Sequence, residues 1–151
     1  MLNARDLRVM RFLRRQAIDV DPVGSAKIAA AISFRNEIIS LGQNQKRTHP
    51  FQAKYAKNPE SIYLHAETNA ICNALNHINK SDLERSTLYI RRVKKPTRDA
   101  KDFVDGLAKP CAGCMRAIIA FGIKKVVYST DDSEQFEVLD RDAGAINISC
   151  Y

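Results

Sequence analysis

The chain of 151 residues lacks tryptophan and long apolar runs, and each absence excludes a class of protein. No run of about 18 or more apolar residues occurs, so the sequence predicts no membrane-spanning helix and no membrane partner. Aromatic residues make up only 7% of the chain, which disfavours a groove that stacks the bases of a single strand. Six glycines and five prolines exclude a collagen-like or low-complexity chain. With 45% hydrophobic residues, residues 1–151 are expected to form a single folded domain.

The first sixteen residues carry no recognisable export signal. They contain several arginines, no continuous apolar stretch and no small-residue cleavage site. The expected location is therefore the reducing cytoplasm. In that compartment, the four cysteines are more typical of a metal or redox site than of a disulfide framework.

Net charge indicates a class of partner without identifying one. Lysine and arginine number 24 against 17 aspartates and glutamates, which gives a formal net charge of +7. Such a surface attracts nucleotides, nucleic acids and other anions over a long range. A solvated basic surface that serves solubility alone is an equally open interpretation.

The spacing of apolar residues predicts an α/β protein with a layered sheet. Helices are predicted over residues 6–17, 65–79 and 111–121. Strands are predicted over residues 27–34, 37–41, 87–93, 125–129 and 136–139. A turn at Arg35 and Asn36 would make the first two strands a hairpin. Residues 42–60 and 94–109 are predicted to be long loops, which in a small domain are often functional.

Two short motifs at the starts of predicted helices carry the chemistry. The sequence His-Ala-Glu begins at His65. The sequence Pro-Cys-Ala-Gly-Cys begins at Pro110 and places Cys111 and Cys114 one helical turn apart. One imidazole and two thiolates suit Zn²⁺ and leave a fourth position for water, whose pKa the metal lowers towards neutrality. Glu67 lies in the same first turn as His65 and could carry protons without being a ligand. These residue types and spacings predict a hydrolytic zinc site.

Three other interpretations of the motifs remain open. A closed structural zinc site would need a fourth ligand, and the candidates are Cys72, His49, His77 and Cys150. A redox Cys-x-x-Cys pair would leave Glu67 without a role. A zinc-stabilised module that binds nucleic acid without catalysis would also not depend on Glu67.

The two motifs together resemble the signature of the zinc-dependent cytidine/deoxycytidylate deaminase superfamily, in which H-x-E is followed by P-C-x-x-C. The continuation from His65 to Ile71, H-A-E-T-N-A-I, is most similar to deoxycytidylate (dCMP) deaminases. The resemblance implies a three-layer α/β/α fold with a central mixed sheet of about five strands. It also implies that His65, Cys111 and Cys114 bind zinc.

The resemblance further implies roles for residues around the metal. Water would attack C4 of a cytosine ring, and Glu67 would protonate N3 and then the leaving amino group. The backbone of Ala66 would orient the base. Gly-Gln-Asn ending at Asn44 is similar to a G-Y-N segment of the family, which implies that Asn44 contacts the sugar. For His49, phosphate binding in the pocket and a solvated loop position are equally open.

The substrate implied by the resemblance is a small-molecule nucleotide, with dCMP converted to dUMP and ammonia. A deaminase that acts on a base in RNA or single-stranded DNA is the second candidate, favoured by the basic surface and disfavoured by the few aromatic residues. Guanine or free-nucleoside deamination ranks third. By analogy with the family, a homo-oligomer is expected.

Overall fold

In the computed structural model, which describes residues 2–21, 27–55 and 63–140, helices and strands alternate along the chain. The helices are α1 (Ala4–Ile18), α2 (Pro50–Tyr55), α3 (Ala66–Ala74), α4 (Lys80–Leu83) and α5 (Ala112–Ala120). The strands are β1 (Lys27–Phe34), β2 (Glu37–Gln43), β3 (Gln45–Thr48), β4 (Tyr63–Leu64), β5 (Thr87–Lys94), β6 (Val104–Gly106), β7 (Lys125–Ser129) and β8 (Phe136–Asp140). Within these ranges, none of the helices is long and apolar enough to cross a membrane.

The central sheet is mixed, as predicted. Its strand order is β2-β1-β5-β7-β8, and β6 pairs with one end of β5. Strand β5 runs parallel to β7, while the pairs β1–β2, β1–β5, β5–β6 and β7–β8 are antiparallel. The predicted hairpin between β1 and β2 is confirmed, because Arg35 and Asn36 have φ angles of 52° and 71°. Two successive positive φ angles are typical of the tight turn that matches the twist of paired strands.

Alternation along the strands gives the sheet two buried faces and the protein three layers. On one face, Ile32, Leu88, Ile90 and Val126 pack with Ala70 and Ile71 of α3 and with Met115 and Ile118 of α5. On the other face, Ala29, Ala31, Tyr89 and Val127 pack with Met10, Leu13 and Ala17 of α1. The helices that carry the two sequence motifs therefore share one layer, opposite α1.

An ion pair is buried between the sheet and α1. The side chain of Arg91 is fully buried, and its guanidinium donates to both carboxylate oxygens of Asp105 at 2.8 and 2.9 Å. The Nη1 atom of Arg91 also donates to the carbonyl oxygen of Met10 in α1 at 2.7 Å. These bonds satisfy a charge that would otherwise be costly to bury, and they tie α1 to β5 and β6.

Both predicted long loops contain secondary structure, so those two predictions are wrong in part. Residues 42–60 include the end of β2, then β3 and α2, and residues 94–109 include β6. These elements have three to seven residues, which is too few for an apolar repeat to be recognised in the sequence. The predicted helix over 65–79 ends at Ala74, and Asn79 caps the separate helix α4 with a capping box. Residues 56–60 and Cys150 lie outside the described residues.

Candidate active site

The three predicted zinc ligands converge where two helices begin. His65 is the residue that directly precedes α3, and Cys111 occupies the same position at α5. Cys114 lies in the first turn of α5. The Nδ1 atom of His65 lies 3.2 Å from the Sγ of Cys114 and 3.5 Å from the Sγ of Cys111. The three candidate ligand atoms all lie within 4.8 Å of one another.

This arrangement fits a zinc ion in both donor chemistry and spacing. Tetrahedral Zn²⁺ with Zn–N and Zn–S bonds of about 2.1 and 2.3 Å holds the nitrogen and sulfur atoms about 3.6 Å apart. The two observed separations are close to that value. Among residues 2–21, 27–55 and 63–140, no other His, Cys, Asp or Glu joins this group of donors. His49, Cys72 and His77 therefore do not complete a closed four-ligand site.

The ligands differ in how readily they lose a proton. Hydrogen bonds from the Cys114 thiol and from His65 outweigh burial and lower the pKa of Cys111 to about 3. The hydrogen bond to Cys111, together with burial, raises the pKa of Cys114 well above its ordinary value. The hydrogen bond to Cys111 also raises the pKa of His65, against the opposing effect of burial. Of the two thiols, zinc binding must therefore displace a proton from Cys114 but not from Cys111.

Glu67 lies in the first turn of α3, beside the ligands but not among them. Its side chain is buried, with 6% of its surface exposed, and it lies within hydrogen-bond reach of the Cys114 thiol. Burial raises the pKa of Glu67 above the ordinary carboxyl value, and the charge of His65 opposes part of that rise. A raised pKa brings a carboxyl group closer to the neutral pH at which a general acid and base works best.

The family model for the cytidine and deoxycytidylate deaminase zinc-binding region matches residues 4–130. The chain belongs to this family. It is therefore a zinc-dependent hydrolase that acts on a C–N bond, and the predicted zinc cofactor is confirmed.

Two solved structures show the fold of this deaminase. The dCMP deaminase of the cyanophage S-TIM5, in its apo form, is 21% identical, with 84% of each chain covered and a TM-score of 0.54. The cytidine deaminase of Burkholderia pseudomallei is 18% identical, with 95% of each chain covered and a TM-score of 0.57. No curated protein sequence matches the chain. The predicted α/β fold of cytidine deaminases is confirmed.

In this deaminase, the start of α3 packs against the end of β2. The amide of Gln43 donates to the side-chain oxygen of Asn69 at 3.0 Å, and Gly42 packs directly on the helix backbone. A Cβ atom at Gly42 would lie 2.4 Å from both the carbonyl oxygen of Ala66 and the amide nitrogen of Ala70. Only glycine allows this approach, which places Ala66, buried as the first residue of α3, beside the sheet.

We expect Gly42→Ala to destabilise the protein by about 1–3 kcal/mol and to weaken zinc binding, because the added methyl group must push the start of α3 away. The matched control is Gly106→Ala in β6, where the new Cβ would meet the flexible side chain of Arg92 at 3.1 Å. Denaturant unfolding and a zinc titration of both variants test this expectation. Equal stability of the two variants would show that the contact between β2 and α3 is not tight.

The two other predicted substrate residues, Asn44 and His49, lie on the segments that join β2, β3 and α2. Asn44 is buried between β2 and β3, and its side-chain oxygen accepts the amide of Ile28 at 2.9 Å. The next residue, Gln45, pairs with Leu64, which directly precedes His65. His49 is half-buried, and its Nδ1 accepts the amide of Phe51 at 3.1 Å, so it caps α2. The roles of Asn44 and His49 toward substrate stay predictions.

Gln52 of α2 is a residue of the site that the sequence motifs do not predict. Its side chain is fully buried, and its amide oxygen accepts the backbone N–H of His65 at 3.1 Å. The one signal in the sequence is Pro50, since proline is favoured at the first position of a helix. That signal predicts the helix but not the contact with His65.

Proposed function

We propose that the protein deaminates dCMP to dUMP and ammonia. The observation that carries the proposal is the convergence of His65, Cys111 and Cys114 beside the buried carboxyl group of Glu67. The choice of dCMP is supported by the H-A-E-T-N-A-I sequence at the start of α3. It is also consistent with the dCMP deaminase among the proteins of similar fold.

His65, Cys111 and Cys114 would hold the zinc ion. When bound, the metal supplies a Lewis acid that makes water nucleophilic at neutral pH. The N-terminal ends of α3 and α5, where the helix dipoles are positive, both lie beside the three ligands. They stabilise the two thiolates and any negative charge that develops during the reaction.

Glu67 moves the protons in the proposed reaction. As the water oxygen bonds to C4 of cytosine, the Glu67 carboxylate takes one water proton and gives it to N3 of the ring. It then carries the second proton to the amino group on C4. The C4–N bond breaks, ammonia leaves with the bonding electrons, and the remaining oxygen becomes the C4 carbonyl of uracil. One water is consumed for each ammonia released.

The remaining residues are proposed to orient the nucleotide. The backbone amides of Ala66 and Cys111, at the exposed starts of the two helices, would orient the base and the water. Asn44 would contact the sugar. Because Nδ1 of His49 already accepts the amide of Phe51, its ring proton belongs on Nε2, which can donate to a phosphate oxygen.

Deamination of a base in RNA or single-stranded DNA is the second candidate. Its support is the net charge of +7 and a row of exposed arginines on α1 that includes Arg8, Arg11 and Arg15. Helix α1, however, packs on the face of the sheet opposite α3 and α5, so this basic surface does not flank the two helices that carry the site.

We also propose that residues 1–151 form one domain that works in the cytoplasm as a homo-oligomer. The family match over residues 4–130 supports a single domain. Strand β2 lies at the edge of the sheet and exposes the apolar side chains of Ile38 and Leu41, which supports contact with a second copy.

Ammonia release, measured with dCMP, CMP, deoxycytidine, guanine and cytosine-containing oligonucleotides, tests the substrate. We expect turnover of dCMP above all other compounds in the panel. Turnover of oligonucleotides alone, with affinity that falls steeply as salt rises, would replace dCMP with the second candidate.

A further inference from the structure

We infer that Gln52 is a positioning residue, whose amide oxygen caps α3 and thereby holds His65 in place as a zinc ligand. The inference rests on the metal-binding role of His65 and not on the identity of the substrate. It adds to the site a side chain from α2, a helix that contains none of the motif residues.

The start of α3 poses a capping problem. The residue before a helix usually has a short side chain with an oxygen that accepts an N–H from the first turn. At α3 this residue is His65, and its side chain makes no capping hydrogen bond. Its Nδ1 instead faces the sulfur atoms of Cys111 and Cys114. A side chain used as a metal ligand leaves the helix end to be satisfied by another group.

Gln52 satisfies one of the unpaired groups at this helix end, the backbone N–H of His65 itself, as the third helical residue does in a capping box. Its Oε1 atom accepts the backbone N–H of His65 at 3.1 Å and also accepts the hydroxyl group of Thr68. The hydroxyl oxygen of Thr68 lies 3.1 Å from the carbonyl oxygen of His65 as well. One amide oxygen therefore links the capping position and the third residue of α3, which are the two positions that a capping box joins.

The rest of the Gln52 side chain shows that the oxygen is the part the fold requires. Since the N–H of His65 and the hydroxyl of Thr68 both donate, the side-chain amide of Gln52 must turn its oxygen towards them and its Nε2 away. Within the described residues this Nε2 is buried and has no hydrogen-bond partner. A buried donor without a partner is unfavourable, and a leucine or methionine would avoid that cost. The acceptor function toward His65 explains why glutamine occupies the position.

Helix α2 is also fixed to the second ligand-bearing helix. Phe51 and Tyr55 pack against Phe121, which follows α5, with ring centroids 5.6 and 6.2 Å apart. Arg116 of α5 donates to the carbonyl oxygen of Tyr55 at 2.6 Å. Helix α2 thus contacts α5 through its aromatic residues and α3 through Gln52. It sets the position of His65 relative to the helix that carries both cysteines.

The test compares Gln52→Met, which removes the acceptor, with Gln52→Glu, which keeps an acceptor oxygen in the same place. Zinc affinity of each full-length protein is measured by competition with a chromophoric chelator. We expect Gln52→Met to lose about 10- to 100-fold in affinity, as is typical for residues that orient a metal ligand, and Gln52→Glu to stay within about threefold. The absorption spectrum of the cobalt-substituted Gln52→Met protein should also change, because the imidazole is no longer held in one orientation.

Unchanged zinc affinity and an unchanged cobalt spectrum in folded Gln52→Met would overturn the inference, as would an equal loss in Gln52→Glu. If Gln52→Met does not fold, Gln52→Asn, which withdraws the oxygen by one methylene, should show the same loss. Failure of both variants to fold would make Gln52 a folding residue and also overturn the inference. Zinc affinity is measured without substrate, so failure of the dCMP proposal would leave this result unaffected.

Discussion

Glu67→Gln is expected to lower the rate of the proposed dCMP deamination by about 10²- to 10⁴-fold, the usual contribution of a general acid and base. The amide has the same shape as the carboxyl group but cannot carry a proton from water to the base. The variant should still bind zinc with wild-type affinity, because Glu67 is not among the clustered ligand atoms. Ammonia release under saturating dCMP measures the change in rate.

Folding and metal content of Glu67→Gln serve as internal controls. The Glu67 side chain is buried and its pKa is raised by burial, so a neutral amide should leave the free energy of unfolding equal or slightly higher. A protein with full zinc content that deaminates at the wild-type rate would remove Glu67 from the mechanism. Loss of zinc together with activity would instead make Glu67 part of the metal site.

Cys111→Ser is expected to lower zinc affinity by more than about 100-fold. Loss of a residue that only orients a ligand costs about 10- to 100-fold, and loss of a ligand itself should cost more. Serine removes the thiolate with the lowest pKa of the three ligands but keeps an oxygen at the start of α5. There, the side chain of Cys111 accepts the amide of Cys114 at 3.4 Å. Serine is among the best capping residues, so the helix and the fold should be retained.

The matched control is Cys72→Ser. Cys72 is half-buried in α3 and does not belong to the ligand group. Chelator competition and thermal unfolding of both variants separate loss of a ligand from loss of a cysteine. If Cys111→Ser retained zinc as tightly as Cys72→Ser, another residue would have to replace Cys111 as ligand.

The zinc ligands can be predicted from the sequence because each motif is local. Cys111 and Cys114 lie on one turn of a helix, and His65 and Glu67 on another, so a correct helix start fixes the relation within each pair. The contact between the two motifs is part of the tertiary structure and cannot be predicted from spacing, since 45 residues separate His65 from Cys111. For that step, the order of elements and the resemblance to a known signature were needed.

The elements that support the site could not be predicted in the same way. Helix α2 has six residues and only one apolar pair at helical spacing, Phe51 and Tyr55, which is too short a pattern for a helix to be recognised. The contact of Gln52 with His65 joins residues 13 apart through a side chain that composition would place on the surface. The pairing of Arg91 with Asp105 is hidden for the same reason, because both residues are normally exposed when unpaired.

Diffraction from crystals of the zinc-loaded protein, recorded on both sides of the zinc absorption edge, examines the metal centre directly. The predicted result is one ion bonded to Nδ1 of His65 and to the sulfur atoms of Cys111 and Cys114, with solvent as the fourth ligand and Glu67 beside it. A fourth protein side chain on the ion, or no ion between the starts of α3 and α5, would contradict a hydrolytic zinc site.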